Sequence, residues 1–282
     1  MARLCVILLL LFVLASSCED PIDIDIPDGQ ERLVVEGWIT DQPGPYEIKL
    51  SVTNNFNDTA PNPKVPNATV SVIDSKGSVF LFTEQAAGVY MSSTDWRGEV
   101  GLSYTCLIDL ENGMKVVSSA EPLNAVPDFD SLFYKEVFPP NIIDGIIQEE
   151  FFIGSTIQDP INVENYYRWR ITRNRDPLID VESIVIFSDR FVNGNDFQLE
   201  VPQILFSRLD TVIVRQEGIS EKAFDYYDLL IAQATTLGQS SGTAPAVLRG
   251  NMFSESNPNE IILGYFGAAA IVSEAIIIAP DN

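Results

Sequence analysis

From residue 31 onward the chain alternates in character with a period of two, and this alternation limits the possible folds more than any motif does. Leu33, Val35 and Gly37 alternate with Arg32, Val34 and Glu36 up to Trp38. After a turn at Pro43–Pro45, Tyr46, Ile48 and Leu50 take one side while Glu47 and Lys49 take the other. A Pro/Asn-rich loop over 54–66 leads to further strands expected at 68–73, 79–83, 89–91 and 101–110, with turns at 74–77 and 111–113. Short strands punctuated at roughly 10-residue intervals predict an immunoglobulin- or transthyretin-like β-sandwich over residues 31–125.

Pro122 and Pro127 mark the expected boundary to a second antiparallel β domain over 126–282, so the fold class is mainly β. Strands are expected there at 129–138, 148–158, 164–174, 182–187 and 203–216. One segment breaks the pattern. Ser220 can cap a helix near 221–237 in which Ala223, Phe224, Tyr227, Leu230, Ile231 and Ala234 recur at three- and four-residue spacing, with Gly238 as the stop. Such a helix packs over a sheet or offers a face to a partner. The apolar run 261–279 is read as two buried strands, with Gly264 and Gly267 at a bend or bulge, because Glu274 and the β-branched residues fit a membrane helix poorly.

Composition narrows the chemistry. The 282-residue chain holds 17 Lys+Arg against 40 Asp+Glu, a formal charge of −23, which repels nucleic-acid phosphates. It contains no histidine, which removes Ser-His-Asp and Cys-His catalysis and the common zinc sites. No metal or cofactor is expected. The three cysteines are Cys5, Cys18 and Cys106. The first leaves with a signal and the second is expected to carry lipid, so Cys106 remains as a buried thiol without a disulfide partner.

The first 17 residues have the form of a secretory signal: Arg3, an apolar run from Leu4 to Leu14, then Ala15, Ser16 and Ser17 before Cys18. A small-residue site directly before a cysteine resembles the lipobox of bacterial lipoproteins, which makes Cys18 the expected lipidation site. The large aliphatic residue usual three places earlier is here Ala15, with Leu14 one step further out. Cleavage near Ser17 without lipid would leave a soluble secreted chain. The run is short for a spanning helix of about 20 residues. Residues 18–30, with Pro21, Pro27 and Gly29 among acids, read as an extended acidic tether.

The expected binding residues come from the rare cations and the aromatics. In the strand around 164–174, Tyr166, Arg168, Arg170 and Thr172 share one face, and with Arg173 and Arg175 they form the only cationic cluster of an acidic chain. Guanidinium groups beside aromatics recognise carboxylates, phosphates and sugar rings. The competing reading is that acids on neighbouring strands pair with them. Trp96 and Tyr166 are the aromatics expected to be exposed for binding. NGND at 193–196 matches a hairpin turn better than a calcium loop.

The segments ERLVVEGWITDQPGPYEIKLS, KVPNATVSVIDSKG, GVYMSSTDWRGEVGLSYTCLIDLENG, AEPLNAVPDFDSLFY and NEIILGYFGAAAI resemble the domain-of-unknown-function 4249 family found in lipoproteins of Bacteroidota. The resemblance implies an outer-membrane lipoprotein, with Glu19 and Asp20 loosely matching signals for the outward face. It also implies a partner, since members are often encoded beside TonB-dependent receptors of the SusC-like kind. It transfers no catalytic residue. The expectation is a non-enzymatic accessory or binding protein in nutrient capture. The alternatives are a histidine-free hydrolase using paired carboxylates, and a structural envelope protein.

Overall fold

The computed structural model of the protein describes residues 30–54, 60–143, 145–158, 160–161, 163–190, 194–236 and 247–279. The expected signal, Cys18, nearly all of the tether, Asn193 and Gly238 lie outside the described residues.

The first half of the chain supplies β1 (Leu33–Thr40), β2 (Glu47–Val52), β3 (Thr69–Asp74), β4 (Val79–Ala86), β5 (Val89–Met91), β6 (Ser103–Asp109), β7 (Lys115–Ser118) and β8 (Glu121–Pro122). The second supplies β9 (Phe129–Glu136), β10 (Asn141–Ile143), β11 (Ile146–Gln148), β12 (Phe151–Ile157), β13 (Tyr166–Arg173), β14 (Asp176–Pro177) and β15 (Val185–Ser188). It continues with β16 (Phe197–Phe206), β17 (Thr211–Ile219), helix α1 (Glu221–Thr236), β18 (Met252–Ser254) and β19 (Leu263–Ile277). The fold is mainly β and sandwich-like, as expected. In the first half the alternation becomes burial. Val35, Ile39, Ile48 and Leu50 of β1 and β2 meet Val70, Val72, Cys106 and Ile108 of β3 and β6 in one core. Each such side chain taken from water contributes about 1.5–3 kcal/mol.

Strand β19 departs most from expectation. The run 261–279 holds one long strand, Leu263–Ile277, rather than two, and it serves two sheets. Its first half runs parallel to β1, from Val34 opposite Leu263 to Thr40 opposite Ala269. Its second half runs antiparallel to β17, from Gly218 opposite Ala270 to Thr211 opposite Ile277. A strand covered on both faces must be apolar and closely approached, and Gly264, Gly267, Ala268, Ala269 and Ala270 meet that need. Gly264 has φ +84, and a Cβ there would lie 2.1 Å from the Val35 carbonyl oxygen. Because β19 and β18 return to pair with β1 and β7, the sheets cross the boundary drawn after residue 125.

The second core lies between the β9-β12-β16 sheet and the β13-β17 strands, where Ile153, Val201 and Phe206 meet Trp169, Ile171, Val212 and Val214. The strand expected over 203–216 is instead the end of β16 and the start of β17. The Ser207 N–H donates to the Asp210 carboxylate at 2.8 Å, and Leu209 takes φ 68, which closes a turn that the apolar pattern conceals.

Helix α1 starts as its sequence predicts: the Ser220 hydroxyl accepts the Ala223 N–H at 3.1 Å. Its inner face packs Ala223 and Phe224 on Tyr166, Ile219 and Ala269. The same Ser220 hydroxyl donates to Glu121 at 2.7 Å. This carboxylate is wholly buried and also receives Asn251 at 3.1 Å, Tyr265 at 2.9 Å and Ser119 at 3.3 Å. Four donors satisfy its lone pairs and tie β8, the helix start, the segment before β18 and β19 together.

Candidate functional site

Where α1 crosses the sheets, β1, β13, β17 and β19 place their side chains on one face. The antiparallel register sets Arg168 of β13 opposite Glu217 of β17, and Arg170 opposite Arg215. Arg168 is 5% exposed and Glu217 2% exposed. The Arg168 Nε donates to Glu217 Oε2 at 2.6 Å, Nη2 reaches the same carboxylate oxygen, and Nη1 donates to the Tyr227 hydroxyl of α1. Its guanidinium carbon stands 4.0 Å from the Trp38 ring centre and 4.5 Å from that of Tyr227. Burial works against its charge, but Glu217 and Tyr227 outweigh it and hold the guanidinium protonated.

Trp38 needs a seat for so close an approach. Gly267 provides it, since a Cβ at that position would come within 2.4 Å of the Trp38 ring. Trp38 also stacks on Tyr265 at 6.2 Å between ring centres, and Tyr265 meets Tyr226 at 5.0 Å. Burial pushes the Tyr226 phenol up to about 12. Burial, with the nearby Glu121, pushes Tyr265 well above its usual range. Between these aromatics and the 178–184 segment lies a cavity of about 360 Å³ lined by Trp38, Arg168, Arg170, Ile179, Tyr226 and Tyr227. A second groove of about 460 Å³ shares Glu36, Trp38 and Arg170 with it and runs across β1 and β2.

The structure separates the four residues expected to bind. Arg168 and Arg170 line the cavity, but Arg168 is consumed by Glu217, as the competing reading of the cluster held. Tyr166 is buried rather than exposed. Its hydroxyl donates to Glu164 at 2.7 Å and accepts Arg190 at 3.1 Å, and its ring packs on Phe224. Trp96 lines neither the cavity nor the groove; it is stacked on Phe80 at 4.0 Å and edge-on to Tyr46 at 5.1 Å, where it packs against the first core. Trp38, Tyr226, Arg215 and Glu217 were missed. Trp38 continues an alternation that reads as core, and Arg215 and Glu217 follow the apolar run Val212–Val214 in a polar stretch that reads as a strand end. The Tyr226–Tyr227 pair on a helix was the one available signal.

Other expected chemistry is placed as follows. Cys106 is fully buried, and burial pushes its thiol far above the reactive range. Among the described residues no group of three Asp, Glu or Cys is placed to hold a metal ion. No helix among them is long and apolar enough to cross a membrane.

Fold and site together define a mainly β, sandwich-like protein with an aromatic-walled groove where its two β halves share a strand. The sequence matches the domain of unknown function DUF4249 over residues 19–275, and the chain belongs to that family. No curated protein matches it. Among solved structures it is similar to a DUF4785 family protein of Legionella pneumophila, at 12% identity and a TM-score of 0.25, covering 65% of this chain and 52% of that one. It is also similar to red sea bream transglutaminase, at 9% identity and a TM-score of 0.20, covering 66% of this chain and 29% of that one. The chain thus spans about half the length of the first and less than a third of the second.

Proposed function

We propose that this protein is a non-catalytic accessory of the bacterial cell envelope, anchored to the outer membrane by lipid on Cys18. On this reading it faces outward, holds a small ligand in the groove beside α1 and works with a TonB-dependent, SusC-like receptor, as in Bacteroidota. The observation that carries the reading is the cavity itself: about 360 Å³, open at the rim, with Tyr226 and Tyr227 on one wall and Arg170 at its mouth. Concave sites with aromatic walls and a few placed polar groups are the usual form of small-molecule sites. Glu36 is the acid that lines the cavity, and the neighbouring Glu217 is occupied by Arg168, so among the described residues Glu36 has no second free carboxylate on the cavity wall to pair with for hydrolysis.

The test is affinity purification of the tagged chain from intact cells, with mass spectrometry of its N-terminal peptide and calorimetric titration against small sugars and organic acids. Ile179, 83% exposed on the cavity rim, gives the control: Ile179→Asp should block ligand entry without disturbing the core. An unmodified Cys18, no recovered receptor and no bound ligand would refute the proposal.

A further inference from the structure

We infer that Arg170 and Arg215 form an anion cradle for the carboxylate of the groove's ligand, a carboxylated sugar; this deepens the binding reading and rests on it. The two arginines face each other directly across β13 and β17. Like charges at directly opposed positions destabilise a sheet, and here they occur in a chain with only 17 cations against 40 acids. Arg170 is only partly neutralised, by a long ion pair. The nearest acid to Arg170 is Glu217, at 4.0 Å, and its other oxygen already serves Arg168. Among the described residues no acid pairs with Arg215. The Arg170 side chain is 57% exposed, so its fork is open to solvent. Across the next strand Ser273 lies opposite Arg215 and is exposed, adding a hydroxyl to the row.

Both guanidinium groups line the groove of about 460 Å³. The remaining charges on it are the Glu47–Lys49 pair, joined at 2.6 Å, and Glu36. Counted with Arg168 behind it, the groove sets four cations, Lys49, Arg168, Arg170 and Arg215, against three carboxylates, Glu36, Glu47 and Glu217, an excess of one, and planar forks on two directly opposed residues suit a carboxylate's oxygens. The rest of the lining tells what the carboxylate is attached to. The Gln42 amide nitrogen serves Asp41 and Ile271, which leaves its amide oxygen as an acceptor and the Thr40 hydroxyl as a donor, while Pro43 and Pro45 present flat apolar surface; together these suit a hydroxylated ring. A peptide strand is disfavoured, because β1 beneath the groove is already paired with β19 on one side and β2 on the other and has no backbone ladder to lend.

The test uses the full chain and digalacturonate, with its methyl ester as a neutral control and inorganic phosphate and a short acidic peptide as competing anions. At constant ionic strength digalacturonate should bind and the ester should not, and Arg170→Gln and Arg215→Gln should each weaken binding about 10- to 100-fold. Arg215→Gln should at the same time raise the melting temperature of the free protein, by relieving the repulsion, and remove its response to the anion. If digalacturonate binds while both Gln variants bind it normally, the binding reading stands and the cradle falls. If the ester binds equally, or phosphate or peptide competes as strongly as digalacturonate, the carboxylated-sugar assignment is overturned. If none of the probes binds, the cradle falls, and the binding reading is decided separately by the affinity purification and the wider titration.

Discussion

The Arg168–Glu217 pair allows the most direct test of how this site is held. Glu217→Gln keeps the shape and one acceptor but removes the charge, leaving a cation that is 5% exposed between the rings of Trp38 and Tyr227. Breaking a buried pair from one side costs about 3–5 kcal/mol. Gln at 217 still accepts the Nε hydrogen bond, so its cost should fall near about 3 kcal/mol, with Glu217→Ala nearer about 5. Arg168→Met strands the carboxylate instead, but Arg170 at 4.0 Å can turn toward it, so this loss should be the smaller. The double variant Arg168→Met/Glu217→Leu replaces both charges by apolar groups and should return to within about 1 kcal/mol of the parent. With Glu217→Leu added to complete the cycle, urea unfolding followed by tryptophan fluorescence measures its four corners, and Trp38 reports from the site itself. Against a total stability of about 5–15 kcal/mol the single losses are large. Single-variant losses under about 1 kcal/mol would refute the reasoning, since they would mean that water reaches the pair.

Three further outcomes follow from the same geometry. Gly267→Val should unseat Trp38, since even a Cβ would meet the ring at 2.4 Å; a stability loss of about 1–3 kcal/mol and a shifted tryptophan emission check it. Tyr226, pushed by burial above the 10.0 of a free phenol to about 12, contributes stability that is complete below pH 10 and is lost as pH rises from 10 toward 12. Tyr226→Phe should therefore move the alkaline unfolding midpoint upward. Burial raises the Asp74 carboxyl, but the N–H groups of Ser78 at 2.8 Å and Lys76 at 2.9 Å outweigh it and hold the group below its usual 3.8. Its contribution is present above pH 3.8 and is lost as pH falls below that value, so Asp74→Asn should cost stability at neutral pH and little in acid, as melting curves across that range would record.

Local physics was legible and long-range physics was not. The alternation of β1, β2, β3 and β6, the Ser220 cap and the inertness of Cys106 all follow from neighbours a few residues apart. The face shared by Tyr166, Arg168 and Arg170 was also readable from the alternation. That α1 would cover that face was not, because covering depends on where a helix fifty residues later docks. The parallel register of β1 with β19 joins residues more than two hundred positions apart, and only Gly264 and Gly267 hint at a close approach. Arg215 was hidden for a related reason: after an apolar run a charged residue reads as a strand end, and its significance lies in the residue that the next strand sets opposite.

One strand, β19, completes both halves of the molecule, and this has a consequence for biogenesis. The first half lacks its full sheet until Ala269 and the second until Ile277 has been synthesised, so the chain cannot lock prematurely. Pairing over such sequence separations is intrinsically slow. A polypeptide built this way stays open through most of its synthesis and hardens only afterward. Once hardened, its two halves should come apart together, in a single transition, because neither keeps a complete sheet without the strand it shares with the other.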